Sequence, residues 1–460
     1  MAKLIVEVSK YVMMILLALY TLDAFRVLRP KLSEEVKNGI WKRQIFLIYF
    51  VHLDGFLVIY AATDDIRTVA FYFAQVALNT LILICYYLIY RNASRSVGNN
   101  MCMLLSVGFV MLTRLSFEKA IRQYLIAVAA VVIAAFIPVI IRKTSGLRRL
   151  SWLYAAAGIV SLLAVLIFGR TSYGAKISIA VAGISVQPSE FVKILFVFFV
   201  AGMLYENTDF KRVCITTAAA AAHVLILVAS RDLGGALIFY MTYLVMLYVA
   251  TRKLFYFAGG VLSGSIAAVI AYNLFAHVRV RVLAWQDPLS VIENEGYQIC
   301  QSLFAIGTGG WFGMGLYEGL PNKIPVVEQD FIFSAIAEEL GSIFALCLLM
   351  VCICCFLLFF NIAMQMRDQF YKLVALGLGT VYGFQVFLTV GGVTKFIPST
   401  GVTLPFVSYG GSSLVATMMI FAVIQGLYLL RQDEGNKNGE KTAKTGKRKT
   451  GFDAEIEDFS

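Results

Sequence analysis

Residues 326–341 read VVEQDFIFSAIAEELG and hold Glu328, Asp330, Glu338 and Glu339, three of them entering or inside an apolar run. A carboxylate near lipid is costly unless it faces a partner or a wet cavity. Asp330 stands at the mouth of the run, where an aspartate suits either a helix N-cap or a general base. On a helix Glu338 falls about 80° round and roughly 12 Å deeper, and Glu339 points about 180° away from Asp330. The spacing leaves both readings of Asp330 open.

Three further polar intrusions interrupt apolar sequence. In SVQPSEFVK (185–193), Pro188 suits a first helical turn, and Glu190 and Lys193 are three apart and can meet on one face. A surface pair of that kind is worth little; close to lipid, a fixed structural or catalytic pair is favoured. In SRDLGGAL (230–237), Arg231 and Asp232 precede a span, and an Arg–Asp pair at the interface is the plain reading. In IPSTGVTLPFVSYGGSSL (397–414), two prolines and three glycines preclude a simple helix, so this backbone must line a cavity or be covered by protein. Exposed amides beside Ser408, Tyr409, Gly410 and Gly411 suit an anion such as a phosphate. No G-x-S-x-G elbow or Walker sequence occurs, and GTGGWFGMG (307–315) follows no strand, which argues against hydrolase and nucleotide-binding readings. His52, His223 and His277 are scattered, and the C-I-C-C run at 352–355 has no second cluster, which argues against a zinc site.

The elements that must position these residues are transmembrane helices. With 60% hydrophobic and 15% charged residues and a mean hydropathy of +0.79, the 460-residue chain is too apolar for a water-soluble domain. Runs long enough to cross the bilayer recur at approximately 5–25, 44–62, 68–90, 99–115, 121–141, 151–169, 188–206, 213–229, 233–250, 254–276, 331–360, 370–391 and 409–430. The fold class is therefore all-α, a polytopic bundle of about thirteen spans. A β-barrel is excluded because its strands would alternate. The first run lacks a usual basic n-region and a small-residue cleavage site, so it is expected to be retained. Basic residues cluster in alternate loops (26–43, 91–95, 142–149, 211–212, 251–253) and in the tail from Arg431, which the positive-inside rule makes cytoplasmic. The long loop 277–330 and the segments 170–187, 230–232 and 392–408 then face outward. The tail, 431–460, is Gly/Lys-rich and is expected to be disordered beside anionic headgroups, with no nucleic-acid partner.

The segments QPSEFVK (187–193), DLGGAL (232–237), RVLAWQDP and GYQICQSLFAIGTGGWFGMGL (within 281–316), DFIFSAIAEELG (330–341) and TLPFVSYGGSSL (403–414) together resemble the SEDS family, which includes RodA, FtsW and SpoVE. The resemblance implies a ten-span core over 99–430, preceded by about three extra helices in 1–98. It implies a peptidoglycan glycosyltransferase that polymerises lipid II at the outer face of the bacterial cytoplasmic membrane and releases undecaprenyl pyrophosphate. It also implies a class B penicillin-binding protein as cross-linking partner, together with other division or elongation complex proteins. The alternatives are a lipid II flippase and a non-catalytic scaffold. By the resemblance Asp330 is the catalytic residue, and Glu190 and Lys193 match the family's Q-P-S-E-x-x-K. Arg279, Arg281, Gln301, Ser408, Gly410 and Gly411 join them as expected substrate contacts, with Asp232 and Glu338 in support. No cofactor is required, although a divalent cation (Mg or Mn) would suit the departing diphosphate. The chain departs from the family pattern at Glu328–Gln329, where His-Thr is common, at Ile177–Ser178 and at Val291–Ile292.

Overall fold

A computed structural model describes residues 2–144, 146–172, 175–181 and 184–457. The helices are α1 (Ala2–Val27), α2 (Glu34–Thr63), α3 (Ile66–Ile84, extended by a π-helical turn Cys85–Ile89), α4 (Arg95–Leu115), α5 (Phe117–Lys143) and α6 (Ser151–Phe168). After three short strands follow α7 (Pro188–Leu204), α8 (Phe210–Ala229), α9 (Leu233–Thr251), α10 (Leu254–Leu274), α11 (Ala276–Gln286) and α12 (Tyr297–Gly309). The last three are α13 (Ile332–Gln365), α14 (Gln369–Val393) and α15 (Gly411–Glu457). Among the described residues twelve helices are long and apolar enough to span a membrane. The thirteenth expected span, 188–206, is α7. It is only 17 residues long and is buried along almost its whole length, so it sits inside the bundle, away from lipid.

The segment 170–187, expected to face outward, holds an antiparallel meander: β1 (Arg170–Ser172), β2 (Ala175–Val181) and β3 (Ile184–Val186). Ser178 pairs with Arg170, and Ile179 with Val186. The alternating polar and apolar residues of AKISIAV are the pattern of a half-exposed strand. The expected tail, 431–460, begins on α15, whose backbone is helical to Glu457; residues 458–460 lie outside the described residues.

α4 is the axis of the bundle, with its entire membrane-spanning window buried. Three of its polar positions meet partners from the N-terminal helices: Asn99 Nδ2 donates to Gln44 Oε1 (3.0 Å), Tyr20 Oη to Asn100 Oδ1 (2.9 Å) and Asn79 Nδ2 to Ser106 Oγ (3.0 Å). Amide and hydroxyl pairs of this kind hold helices together where lipid offers no hydrophobic drive. α1 also lies along α13, where Thr21 Oγ1 donates to the Cys347 carbonyl (3.2 Å). Gly108 lets α4 meet the 406–407 backbone, since a Cβ there would fall 2.5 Å from the Phe406 carbonyl oxygen.

Candidate active site

α5, α7, α9, α13 and α15 all begin at the same end of the bundle, because the residues that open them line or bracket two adjoining cavities. The smaller, about 310 Å³, is lined by Asp330, Arg281, Trp285, Arg231, Thr400 and Gly401 among others. The larger, about 810 Å³, is lined by Glu190, Lys193, Arg122, Tyr409, Gly410 and Gly411 among others. Asp232, Gln187, Gln329, Gly401 and Thr403 belong to both walls, so the two form one continuous site.

Asp330 does not cap its helix. Phe331 occupies the N-cap of α13 with no side-chain hydrogen bond, so the capping reading fails and the carboxylate faces the smaller cavity. The flanking backbone is pinned instead: the Tyr409 amide donates to the Glu328 carbonyl (2.7 Å) and Ser408 Oγ donates to the Gln329 carbonyl, while Lys119 pairs with Glu328. Burial pushes the Asp330 carboxyl from 3.8 up to about 6, against the pull of Arg281 and helped by Glu328. Arg281 is held by its bond to the Ser399 carbonyl (Nη1 to O, 2.9 Å), and burial lowers its own pKa.

Asp232 caps α9, accepting from the Gly235 amide (2.8 Å) and from Ser189 Oγ (3.3 Å), and burial raises its pKa. Glu190 and Lys193 form the pair that their spacing allows, at 2.8 Å and buried. Lys193 Nζ also donates to Gln385 Oε1 (2.9 Å), and Gln385 Nε2 donates onward to the Thr403 carbonyl and Ser413 Oγ (3.1 Å each). The ammonium is therefore spoken for within the protein. Gln187 and Ser412 tie the starts of α7 and α15 together through the Gln187 amide (2.9 Å). Gln123 of α5 holds the 408–410 turn by donating to the Ser408 carbonyl (3.1 Å). The non-helical backbone at 397–410 lines the site, which is how irregular backbone is tolerated at membrane depth.

Of the expected substrate contacts, Glu190, Lys193, Arg281, Gly410 and Gly411 line the cavities with Asp330 and Asp232. Three others, and Glu338 of the two supporting residues, do not reach them. Arg279 is exposed and lines neither cavity, since it lies on a different face of α11 from Arg281. Gln301 lies on α12 away from both. Ser408 is buried, its hydroxyl consumed by the Gln329 carbonyl and the Leu404 amide. Glu338, expected in a supporting role, lines neither cavity and accepts from the Leu320 amide (3.0 Å).

GTGGWFGMG proves to be a packing motif. A Cβ at Gly309 would fall 2.1 Å from the Ala337 carbonyl oxygen, and one at Gly313 2.4 Å from that of Glu339. The motif lets this loop lie directly on the α13 backbone. Sequence reasoning missed Arg122, Gln329, Thr400 and Gln385; a lone amide inside the apolar run of α14 was the available signal for Gln385. Among the described residues no three or more His, Cys, Asp or Glu side chains converge to hold a metal ion.

The profile of the cell cycle protein family of FtsW, RodA and SpoVE matches residues 95–431. The peptidoglycan glycosyltransferase RodA of Mycobacterium tuberculosis is 34% identical over 347 residues, covering 69% of this chain and 74% of that one. Stage V sporulation protein E of Bacillus subtilis is 36% identical over 270 residues, covering 55% and 71%. Among solved structures, a chain of a peptidoglycan synthase complex superposes with a TM-score of 0.62 at 24% identity, over 74% of this chain and 98% of that chain. RodA of Thermus thermophilus gives 0.55 at 22% identity, over 73% and 96%. With the helix starts, the acidic head of α13 and the irregular 397–410 segment in one place, and with a family match from the first residue of α4 to the end of the apolar part of α15, the chain belongs to the FtsW/RodA/SpoVE family.

Proposed function

We propose that this protein is a peptidoglycan glycosyltransferase that polymerises lipid II at the outer face of the cytoplasmic membrane, with the C-terminus in the cytoplasm. The observation that carries the reading is Asp330, a carboxylate raised to about 6 on a cavity wall. A base with that pKa is mostly ionised near neutral pH and still basic enough to accept a proton. Asp330 takes the proton from the acceptor sugar hydroxyl as that oxygen bonds to the anomeric carbon of the donor. The bond from that carbon to the diphosphate oxygen breaks, the diphosphate leaves with the electron pair, and the proton passes to solvent.

The leaving group needs positive potential. The starts of α7, α9 and α15 line the larger cavity, and helix N-termini favour anions. Lys193 is committed to Glu190 and Gln385, which makes Arg122, on the same wall, the better diphosphate contact. Leu125, 62% exposed, and Ile126 continue that wall onto the outside of α5, an apolar path by which a prenyl chain enters sideways. The basic loops on the opposite side support an extracytoplasmic site. The likeness to a synthase complex that coordinates polymerization and crosslinking supports a transpeptidase partner of the class B penicillin-binding kind.

The test is reconstitution in proteoliposomes with lipid II. Glycan polymer in the product is expected. Translocated lipid II without polymer would replace this reading with that of a flippase.

A further inference from the structure

Asp330 immediately precedes a helical segment that a kink at Gly341 divides from the rest of α13. Gly341 breaks the helix at φ 89°, ψ 161°, a conformation essentially reserved for glycine. The segment 332–340 therefore does not share one continuous helix axis with the long apolar helix that follows it. Something else must fix its angle.

Three sets of contacts do so at its far end. Arg114, at the end of α4, forms a fork with Glu339 Oε1, through Nε (3.0 Å) and Nη2 (2.8 Å), with the Glu339 side chain wholly buried and that of Arg114 10% exposed. The same oxygen accepts from the Tyr317 amide (3.1 Å), and the Arg114 guanidinium lies over the Tyr317 ring, 4.1 Å from its centre. Glu338 Oε1 accepts from the Leu320 amide (3.0 Å). Below them the Met314 and Gly315 amides bond to the carbonyls of Glu338 and Glu339 (2.9 and 2.8 Å), and the Ser342 amide bonds to the Gly310 carbonyl (2.9 Å).

We propose that Arg114 and Glu339, with Glu338, are positioning residues that set the angle of segment 332–340 and so the place of Asp330 in the cavity. The inference rests on Asp330 being the base. α4 is the natural anchor, because it is the most enclosed helix of the bundle. Its last turn delivers a planar, always-charged fork to a carboxylate one helical segment away from the reacting group. None of the three side chains lines either cavity.

The experiment compares Arg114→Ala and Glu339→Gln with the wild-type full chain in a lipid II polymerisation assay, with rates expressed per monodisperse, folded molecule. The expected result is a kcat lower by roughly tenfold to a hundredfold, the cost of a misplaced catalytic group. KM should stay close to wild type, the acid limb of the pH profile should move, and Arg114→Lys should recover part of the rate. A merely structural role would lower the folded yield and leave kcat and the acid limb of the surviving molecules at wild-type values, which would overturn the proposal. If Arg114→Ala yields no monodisperse protein, Glu338→Gln and Glu339→Gln keep side-chain volume and an acceptor oxygen and give the same readout. Wild-type protein that makes no polymer would overturn the glycosyltransferase reading, whereas wild-type polymer with unaltered variants would overturn this one alone.

Discussion

Replacing Asp330 by asparagine should abolish polymerisation and at the same time make the protein more stable. The carboxyl is raised from 3.8 to about 6, chiefly by burial. At about 1.4 kcal/mol per pH unit, the ionised side chain costs the fold about 3 kcal/mol. Because the folded-state value lies above the unfolded one, that cost is full above pH 6. It fades as the pH falls from 6 towards 3.8, where folded and unfolded chains both bind the proton. An asparagine at this position keeps the size of the side chain and carries no charge, so Asp330→Asn should gain up to about 3 kcal/mol near neutral pH and almost nothing near pH 4. Unfolding of detergent-solubilised wild type and variant across that range reads the difference directly. A variant no more stable than wild type at neutral pH, or one whose gain does not depend on pH, would refute the reasoning that burial holds this carboxylate in a costly state.

Arg281→Ala should move the acid limb of kcat/KM above pH 6, since the guanidinium pulls the Asp330 pKa down; rates measured from about pH 5 to 8 would show it. Arg122→Ala should raise KM for the lipid-linked donor about tenfold with kcat little changed, the mark of lost ground-state binding, in steady-state kinetics at low salt. Gly341→Ala should cost on the order of 2–4 kcal/mol in a denaturant titration, because the backbone conformation excludes a side chain. The added Cβ would also stand 2.5 Å from the Gly313 amide nitrogen.

The spans were legible because bilayer thickness imposes a length that a hydropathy window detects, and Asp330, Glu190, Lys193 and Asp232 were legible as polar residues at the ends of apolar runs. The Glu190–Lys193 pair followed from helical spacing alone. What was not legible depended on tertiary contact. Glu338 and Glu339 differ by one position, yet their partners come from Leu320, Tyr317 and Arg114, so nothing within the segment reveals which loop each carboxylate holds. Ser408 looked available for an anion because the polypeptide around it is irregular. Its hydroxyl is taken by Gln329, a residue 79 positions away. Lys193 was expected to meet the leaving group as well as Glu190, and the amide that also engages it, Gln385, sits 192 residues further along. The meander at 170–186 was overlooked because three short strands beside long apolar helices leave little signal.

The most direct measurement is the amount of glycan polymer that reconstituted protein makes from lipid II, with wild type and Asp330→Asn compared at equal folded concentration. Polymer from the first and none from the second is the predicted result. Polymer from Asp330→Asn at the wild-type rate would contradict the assignment of this carboxylate as the base.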